Sequence, residues 1–166
     1  MEDYLESILE LEEANNHARV KDIARKMHVT LPTVTSMLNT LRKRNLVNHG
    51  KYEYVKLTRK GRLIARDIYR RHTILKRFLT DILHIDTKTA DTDACRMEHA
   101  VSADTLERIV KFMEFIETCP RGGADWLKNF EHYHNHGPSE ANCLERMKDF
   151  EKHYRTKIKK LEDKLK

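Results

Sequence analysis

Between Val20 and Arg44 the apolar period breaks for three residues and then resumes, so this stretch holds two short helices and not one long one. In Val20-Lys21-Asp22-Ile23-Ala24-Arg25-Lys26-Met27 the stripe is Ile23, Ala24 and Met27, and His28-Val29-Thr30 interrupts it. From Leu31 to about Arg44 the stripe is Val34, Met37, Leu38 and Leu41. Thr30 is placed to cap this second helix, and Pro32 falls in its first turn, where a missing N–H costs nothing. Two short helices joined by so tight a turn describe a helix-turn-helix. A further helix precedes them, with Tyr4, Leu5, Ile8, Leu9 and Leu11 at helical spacing within residues 2 to 15 and a stop at Asn15-Asn16.

Past the second helix the period changes. Leu46-Val47-Asn48-His49 and Tyr52-Glu53-Tyr54-Val55-Lys56-Leu57 alternate around Gly50-Lys51, which predicts a β-hairpin, and Thr58 is placed to cap a helix opened by Arg59-Lys60-Gly61. A hairpin directly after the second helix makes the module a winged helix. The outward face at the start of that helix carries Thr33, Thr35 and Ser36, short polar side chains able to approach bases and phosphates, with Arg42, Lys43 and Arg44 at its far end. The formal net charge of +6 favours a polyanionic partner, because neutralising phosphates releases counterions. Double-stranded DNA is therefore the expected partner, with Thr30, Pro32, Thr33, Thr35, Ser36, Arg42 and Lys43 as the contacting residues.

The middle of the chain carries the most specific chemistry. Cys95-Arg96-Met97-Glu98-His99 sets a thiol, a carboxylate and an imidazole at i, i+3 and i+4, a spacing that projects all three from one helix face toward a single ion. All three are transition-metal ligands. Asp3 and Glu6 share a face beside the first apolar stripe, and His72 lies in the long helix after the hairpin. Each has a plain alternative: the acids could complement the positive end of the first helix, His72 could be a packing residue, and Cys95 a small hydrophobe. Cys95 to His99 also has a superficial likeness to the H-x-x-E-H pattern of some zinc proteases, but Glu98 is better explained as a ligand than as a general base. With no nucleophile elbow, phosphate loop or cofactor fingerprint, no enzyme is expected.

Several motifs in order carry a resemblance. Met1-Glu2-Asp3-Tyr4-Leu5-Glu6, Ala18-Arg19-Val20-Lys21-Asp22-Ile23-Ala24, Pro32-Thr33-Val34, Leu57-Thr58-Arg59-Lys60-Gly61, Arg71-His72 and Cys95-Arg96-Met97-Glu98-His99 together resemble the diphtheria toxin repressor and manganese transport regulator family of iron- or manganese-dependent transcriptional repressors. The likeness covers residues 1 to roughly 118. It implies a mainly α fold: an N-terminal winged helix-turn-helix with a two-stranded wing, then a helical dimerisation domain. The expected boundaries are 1–60 for the DNA-binding domain, 61–80 for a linking helix, and 81–166 for a dimerisation and metal-binding domain with a C-terminal helical extension.

Carried over by motif, the implied metal ligands are Asp3, Glu6, His72, Cys95, Glu98 and His99. The implied cofactor is Fe2+ or Mn2+, with Zn2+, Co2+ or Ni2+ able to substitute in vitro. The implied activity is metal-ordered operator binding by a homodimer that represses metal-homeostasis genes. Asp3 follows the manganese-sensing pattern, where iron sensors have Met, whereas Cys95 follows the iron-sensing pattern, where manganese sensors have Glu. Lys76 and Asp91 stand where the iron sensors' ancillary site has carboxylate and imidazole ligands, and the length fits the short form lacking an SH3-like domain.

Leu106, Ile109, Val110, Met113 and Ile116 form a stripe expected to serve as core and dimer interface, ending near Cys119-Pro120-Arg121-Gly122-Gly123. Trp126, Leu127 and Phe130 follow, then His132, His134 and His136. Leu144, Met147, Phe150, Tyr154, Ile158, Leu161 and Leu165 predict a final amphipathic helix. The three histidines with Cys119 and Cys143 are the candidates for a second metal site, although the alternating spacing suits a helix face poorly. No apolar run approaches the roughly 18 residues that span a bilayer, no signal peptide is seen, and the three cysteines form no C-x-x-C pair, so reduced thiols and a cytoplasmic location are expected.

Overall fold

Tyr4, Leu5, Ile8 and Leu9 are buried on one face of α1 (Glu2–Asn15), and Asn16, with φ 58°, closes that helix in the left-handed conformation that asparagine tolerates. The computed structural model describes residues 1–50, 54–118, 124–137 and 140–164, with the side chains of 124–126, 129, 140–146 and 149–150 outside the description. Helix α2 (Val20–Lys26) buries Ile23 and Ala24, and α3 (Leu31–Lys43) buries Val34, Leu38 and Leu41. Met27 and Met37, expected to face inward, are only half-buried and pack on the rim of this core. The turn between the two helices is closed by His28 at φ 55° and by the Val29 N–H donating to the Ala24 carbonyl at 3.0 Å.

Thr30 occupies the N-cap of α3 in extended conformation, but its side chain does not cap. Pro32 offers no N–H, and the Thr30 hydroxyl instead pairs with that of Thr33 at 2.8 Å. The cap is therefore conformational, a correction to the sequence reading.

The wing is shorter than the alternation suggested. β1 (Val47–Asn48) and β2 (Lys56–Leu57) pair antiparallel with Val47 opposite Leu57 and Asn48 opposite Lys56, while the turn at 51–53 lies outside the described residues. Val55 leaves the hairpin to bridge Ala18, its N–H donating to the Ala18 carbonyl at 2.9 Å. This pairing fixes the segment before α2 against the wing.

Helix α4 (Arg59–Arg77) begins where expected. The Thr58 hydroxyl accepts the Gly61 N–H at 3.0 Å and donates to the Asn45 carbonyl at 2.7 Å, so one side chain starts α4 and ties it to the end of α3. A Cβ on Gly61 would lie 2.0 Å from the Leu46 carbonyl oxygen, so the helix approaches this close only because residue 61 is glycine. Glu12 adds a further tie, accepting from the Leu57 N–H and from the Arg62 guanidinium.

The chain forms two compact units that do not follow sequence order. One is residues 1–75 with 91–100, and the other is 76–90 with 101–166. In the second, α4 runs on into a π-helical turn (Phe78–Ile82), and Ile82, Met113 and Ile116 form a small core with Phe78, Ile109 and Leu127 packed on it. Helix α5 (Thr87–Met97) is started by Asp86, whose carboxylate accepts the N–H groups of Lys88 and Thr89 at 3.1 and 3.0 Å. The hydroxyl and N–H of Thr89 hold that carboxyl below its usual range. Helix α6 (Ala103–Thr118) buries Leu106, Met113 and Ile116 and leaves Phe112 and Phe115 exposed. Helices α7 (Ala124–His136) and α8 (Glu140–Lys164) follow, and Met147, Ile158 and Leu161 of α8 are exposed.

Candidate metal centre and nucleic-acid face

Three elements of the first unit bring the candidate ligands together. The three-residue spacing of Asp3 and Glu6 puts both on one side of α1. His72 projects from the last turns of α4, and Glu98 and His99 directly follow α5. One ligand atom each from Glu6, His72 and Glu98 forms a group whose members all lie within 4.8 Å of one another. The His72 Nδ1 is 2.8 Å from Glu98 Oε2.

Glu98 is 1% exposed, and its Oε1 is buried without a hydrogen-bond partner, the nearest imidazole nitrogen (His99 Nε2) being 3.4 Å away. Leaving a buried carboxylate oxygen unmatched is costly. Burial raises the Glu98 carboxyl above the usual range, despite the opposing hydrogen bond and charge of His72. Burial also pushes Glu6 up to about 7, helped by repulsion from Glu98 and Glu10. Two acids raised by each other beside an imidazole make a donor set suited to a divalent cation, which would stabilise the ionised form of both and fill the unmatched valence.

The other candidates are arranged around this group. His99 abuts it but has both ring nitrogens engaged by α1, Nε2 at 2.7 Å from Asp3 Oδ1 and Nδ1 at 2.8 Å from Glu2 Oε2. Cys95 is exposed and stands outside the converging trio; partial burial, then the charges of Glu98, Glu6, Asp3 and Asp91, push its thiol up. Of the six candidates, Glu6, His72 and Glu98 thus converge, Asp3 and His99 form an adjoining pair, and Cys95 is peripheral. Glu2 and Asp91, the latter with Oδ1 at 3.3 Å from His72 Nε2, were not among the residues expected. Asp91 precedes Cys95 by four residues and Glu98 by seven, a helical period that marks it as sharing their face.

On α3 the residues expected to meet DNA share one surface. Thr30, Pro32, Thr33, Thr35, Ser36, Arg42 and Lys43 are all exposed, opposite the buried Val34, Leu38 and Leu41. The Thr35 hydroxyl donates to the Leu31 carbonyl at 2.9 Å, which commits its proton to the helix, whereas Leu31 itself is an exposed apolar side chain at the helix start. Beside the wing, the Arg19 guanidinium lies 5.3 Å above the Tyr54 ring and donates to its hydroxyl at 3.2 Å. That cation was not expected from the sequence, because the Ala18–Val55 bridge that places it joins segments far apart in the chain.

Comparison with known proteins agrees with this geometry. Residues 1–55 match the iron dependent repressor N-terminal DNA binding domain, and residues 58–127 the iron dependent repressor metal binding and dimerisation domain. A helix-turn-helix transcriptional regulator of Methanocaldococcus jannaschii is 38% identical over 115 residues, which are 69% of this chain and 92% of that protein. The transcriptional regulator MntR of Listeria welshimeri is 35% identical over 120 residues, 72% of this chain and 84% of that one. The solved structure of the manganese regulator SloR superposes with a TM-score of 0.62 at 36% identity, covering 72% of this chain and 56% of the SloR chain.

Proposed function

The chain belongs to the iron-dependent repressor family of metal-dependent transcriptional regulators, and from that premise we propose that it is a homodimeric, cytoplasmic repressor of metal-homeostasis genes that responds to Fe2+ or Mn2+. The observation that carries this reading is the convergence of Glu6, His72 and Glu98, with the unmatched Glu98 oxygen buried among them. Asp3, His99 and Cys95 complete the proposed ligand set from the adjoining surface. A bound divalent cation supplies charge neutralisation and a cross-link. Glu6 and Asp3 bring α1 to that link, His72 brings α4, and Glu98 with His99 brings the end of α5. Ordering α1 matters for DNA because Tyr4, Leu5, Ile8 and Leu9 share one core with Val34, Leu38 and Leu41 of α3. The carboxylates and imidazoles suit Mn2+, and the Cys95 thiol favours the softer Fe2+.

The proposed DNA contacts are Thr30, Pro32, Thr33, Thr35, Ser36, Arg42 and Lys43 on α3. A dimer would present two such helices to half-sites about 34 Å apart or a multiple of that. DNA binding measured with Mn2+, with Fe2+ under anaerobic conditions and with excess chelator tests the reading. Metal should raise affinity for the operator, Glu98→Ala should abolish that rise, and Asp3→Met should move the response from manganese toward iron. Operator binding by the wild type that chelator leaves unchanged would overturn it.

A further inference from the structure

His132 and His136 lie in the last turns of α7, beyond residue 127, where the match to the metal binding and dimerisation domain ends. They are four residues apart, so they share a face, whereas His134 sits roughly 200° around the helix from His132. Their rings stack with centroids 4.3 Å apart and planes inclined by 30°. Two imidazole nitrogens on one ion, each about 2.0–2.1 Å from it, must themselves lie within about 4 Å of each other. The stacked pair already holds that spacing.

The second observation concerns the tautomer. His136 Nδ1 is 3.1 Å from the His132 carbonyl oxygen, so in neutral His136 the proton belongs on Nδ1, where it can be donated. The lone pair is then on Nε2. An imidazole that donates one N–H to a backbone carbonyl and keeps its other nitrogen for the ion is the usual form of a histidine ligand. The helix end is fixed as well: Gly137 adopts φ 70° and donates its N–H to the Tyr133 carbonyl at 2.8 Å, which terminates α7 directly after His136. Two histidines at a helix C-terminus could instead serve only as dipole partners when protonated. That role needs neither the stacking nor the oriented tautomer.

We propose that His132 and His136 form a second divalent-metal site on α7, selective for borderline ions of the Zn2+, Ni2+ or Cu2+ kind and independent of the centre built on Glu98. Two neutral imidazoles with no carboxylate between them discriminate against Mn2+ and favour the ions later in the Irving–Williams order. Affinity at an exposed two-ligand site is roughly micromolar, weaker than at an enclosed one. Binding also clips one turn of a 13-residue helix, a length that is marginal in isolation, and so firms the end of α7.

The experiment titrates Zn2+ into full-length protein against a chromophoric chelator of micromolar affinity. It compares Glu98→Ala, which disables the first centre, with the same variant also carrying His132→Ala and His136→Ala. The added histidine changes should remove one Zn2+ per chain, His134→Ala should remove none, and Mn2+ should not compete for that ion. Hydrogen exchange at the end of α7 should slow with Zn2+ in the parent and not in the histidine variant. His132→Gln with His136→Gln, a milder pair, repeats the comparison if the alanine variants unfold. Equal zinc uptake with and without the two histidines, or an equal loss from His134→Ala alone, overturns the proposal. Because the comparison is made on the Glu98→Ala background, either result leaves the reading of the first centre untouched.

Discussion

Gly61 and Glu6 show how single residues set limits here. At Gly61 any Cβ meets the Leu46 carbonyl oxygen at 2.0 Å, and backbone on both sides must move to relieve it. Gly61→Ala should therefore cost about 1–3 kcal/mol, as overpacked sites do, despite alanine's better helix propensity. A denaturant midpoint unchanged or raised by the substitution would contradict the packing described. Glu6 presents the opposite case, a side chain held in an unfavourable state. Its carboxyl is raised from the ordinary 4.5 to about 7 by burial and by repulsion from Glu98 and Glu10. A folded pKa above the unfolded one means that folding favours the protonated form. Metal-free protein then gains stability from this group as pH falls from about 7 toward 4.5, and loses that gain as pH rises through 7. A cation needs the ionised form, so metal uptake near pH 7 should release part of a proton and metal affinity should weaken as pH drops below 7. Calorimetry of Mn2+ binding in buffers of different ionisation enthalpy measures that proton, and Glu6→Gln should abolish Glu6's share of it.

At the level of helices and strands, α3 is the element on which DNA binding rests, and its two ends are expected to behave differently. Replacing Arg42 and Lys43 by Ala should weaken binding to all duplexes alike and reduce the salt slope by roughly one unit per lost phosphate contact. Thr33→Ala or Ser36→Ala should instead change which sequence is preferred, while an unchanged salt slope in the arginine and lysine variants would mean that α3 docks otherwise. The identity of α3 was legible in sequence because every signal is local: Val34, Leu38 and Leu41 recur at helical spacing, Pro32 fits the first turn, and His28 closes the preceding turn. The wing was legible only in outline, since its pairing is decided elsewhere; Val55 spends its backbone on Ala18, and each paired strand keeps two residues. Non-local pairing of this sort leaves no periodic trace. The π-helical turn at Phe78–Ile82 left none either, because its apolar residues fit an α-helical stripe equally well. In the metal centre, Glu98 and His99 followed from spacing, and motif likeness supplied Asp3, Glu6 and His72. Glu2 and Asp91 went unseen because carboxylates on exposed helix faces are too common to single out.

For the molecule as a whole, the candidate ligands and the DNA-facing helix belong to one compact unit, residues 1–75 with 91–100, while α6 belongs to the other. Dimerisation and metal response should therefore be separable. Helix α6 keeps Met113 and Ile116 in its own unit's core and still exposes Phe112 and Phe115, apolar surface that a second copy would cover. Metal-free protein should sediment as a dimer at micromolar concentration, and a monomer there would rule this out. If the dimer forms without metal, what the cation changes is the affinity of an existing dimer for its operator. Linkage then fixes the size of the effect in both directions: the factor by which metal tightens DNA binding must equal the factor by which operator DNA tightens metal binding. The cation can shift the protein toward its DNA-competent arrangement only by its preference for that arrangement, and a hundredfold activation would require about 2.7 kcal/mol of coupling. The measurement is a pair of titrations on one preparation, Mn2+ into free protein and Mn2+ into the operator complex, set beside operator affinities with and without Mn2+. The two ratios should agree for the wild type, and both should collapse toward one in Glu98→Ala with the dimer retained. A Glu98→Ala protein that bound DNA weakly and yet kept the wild-type ratio would show that the switch is built on other residues.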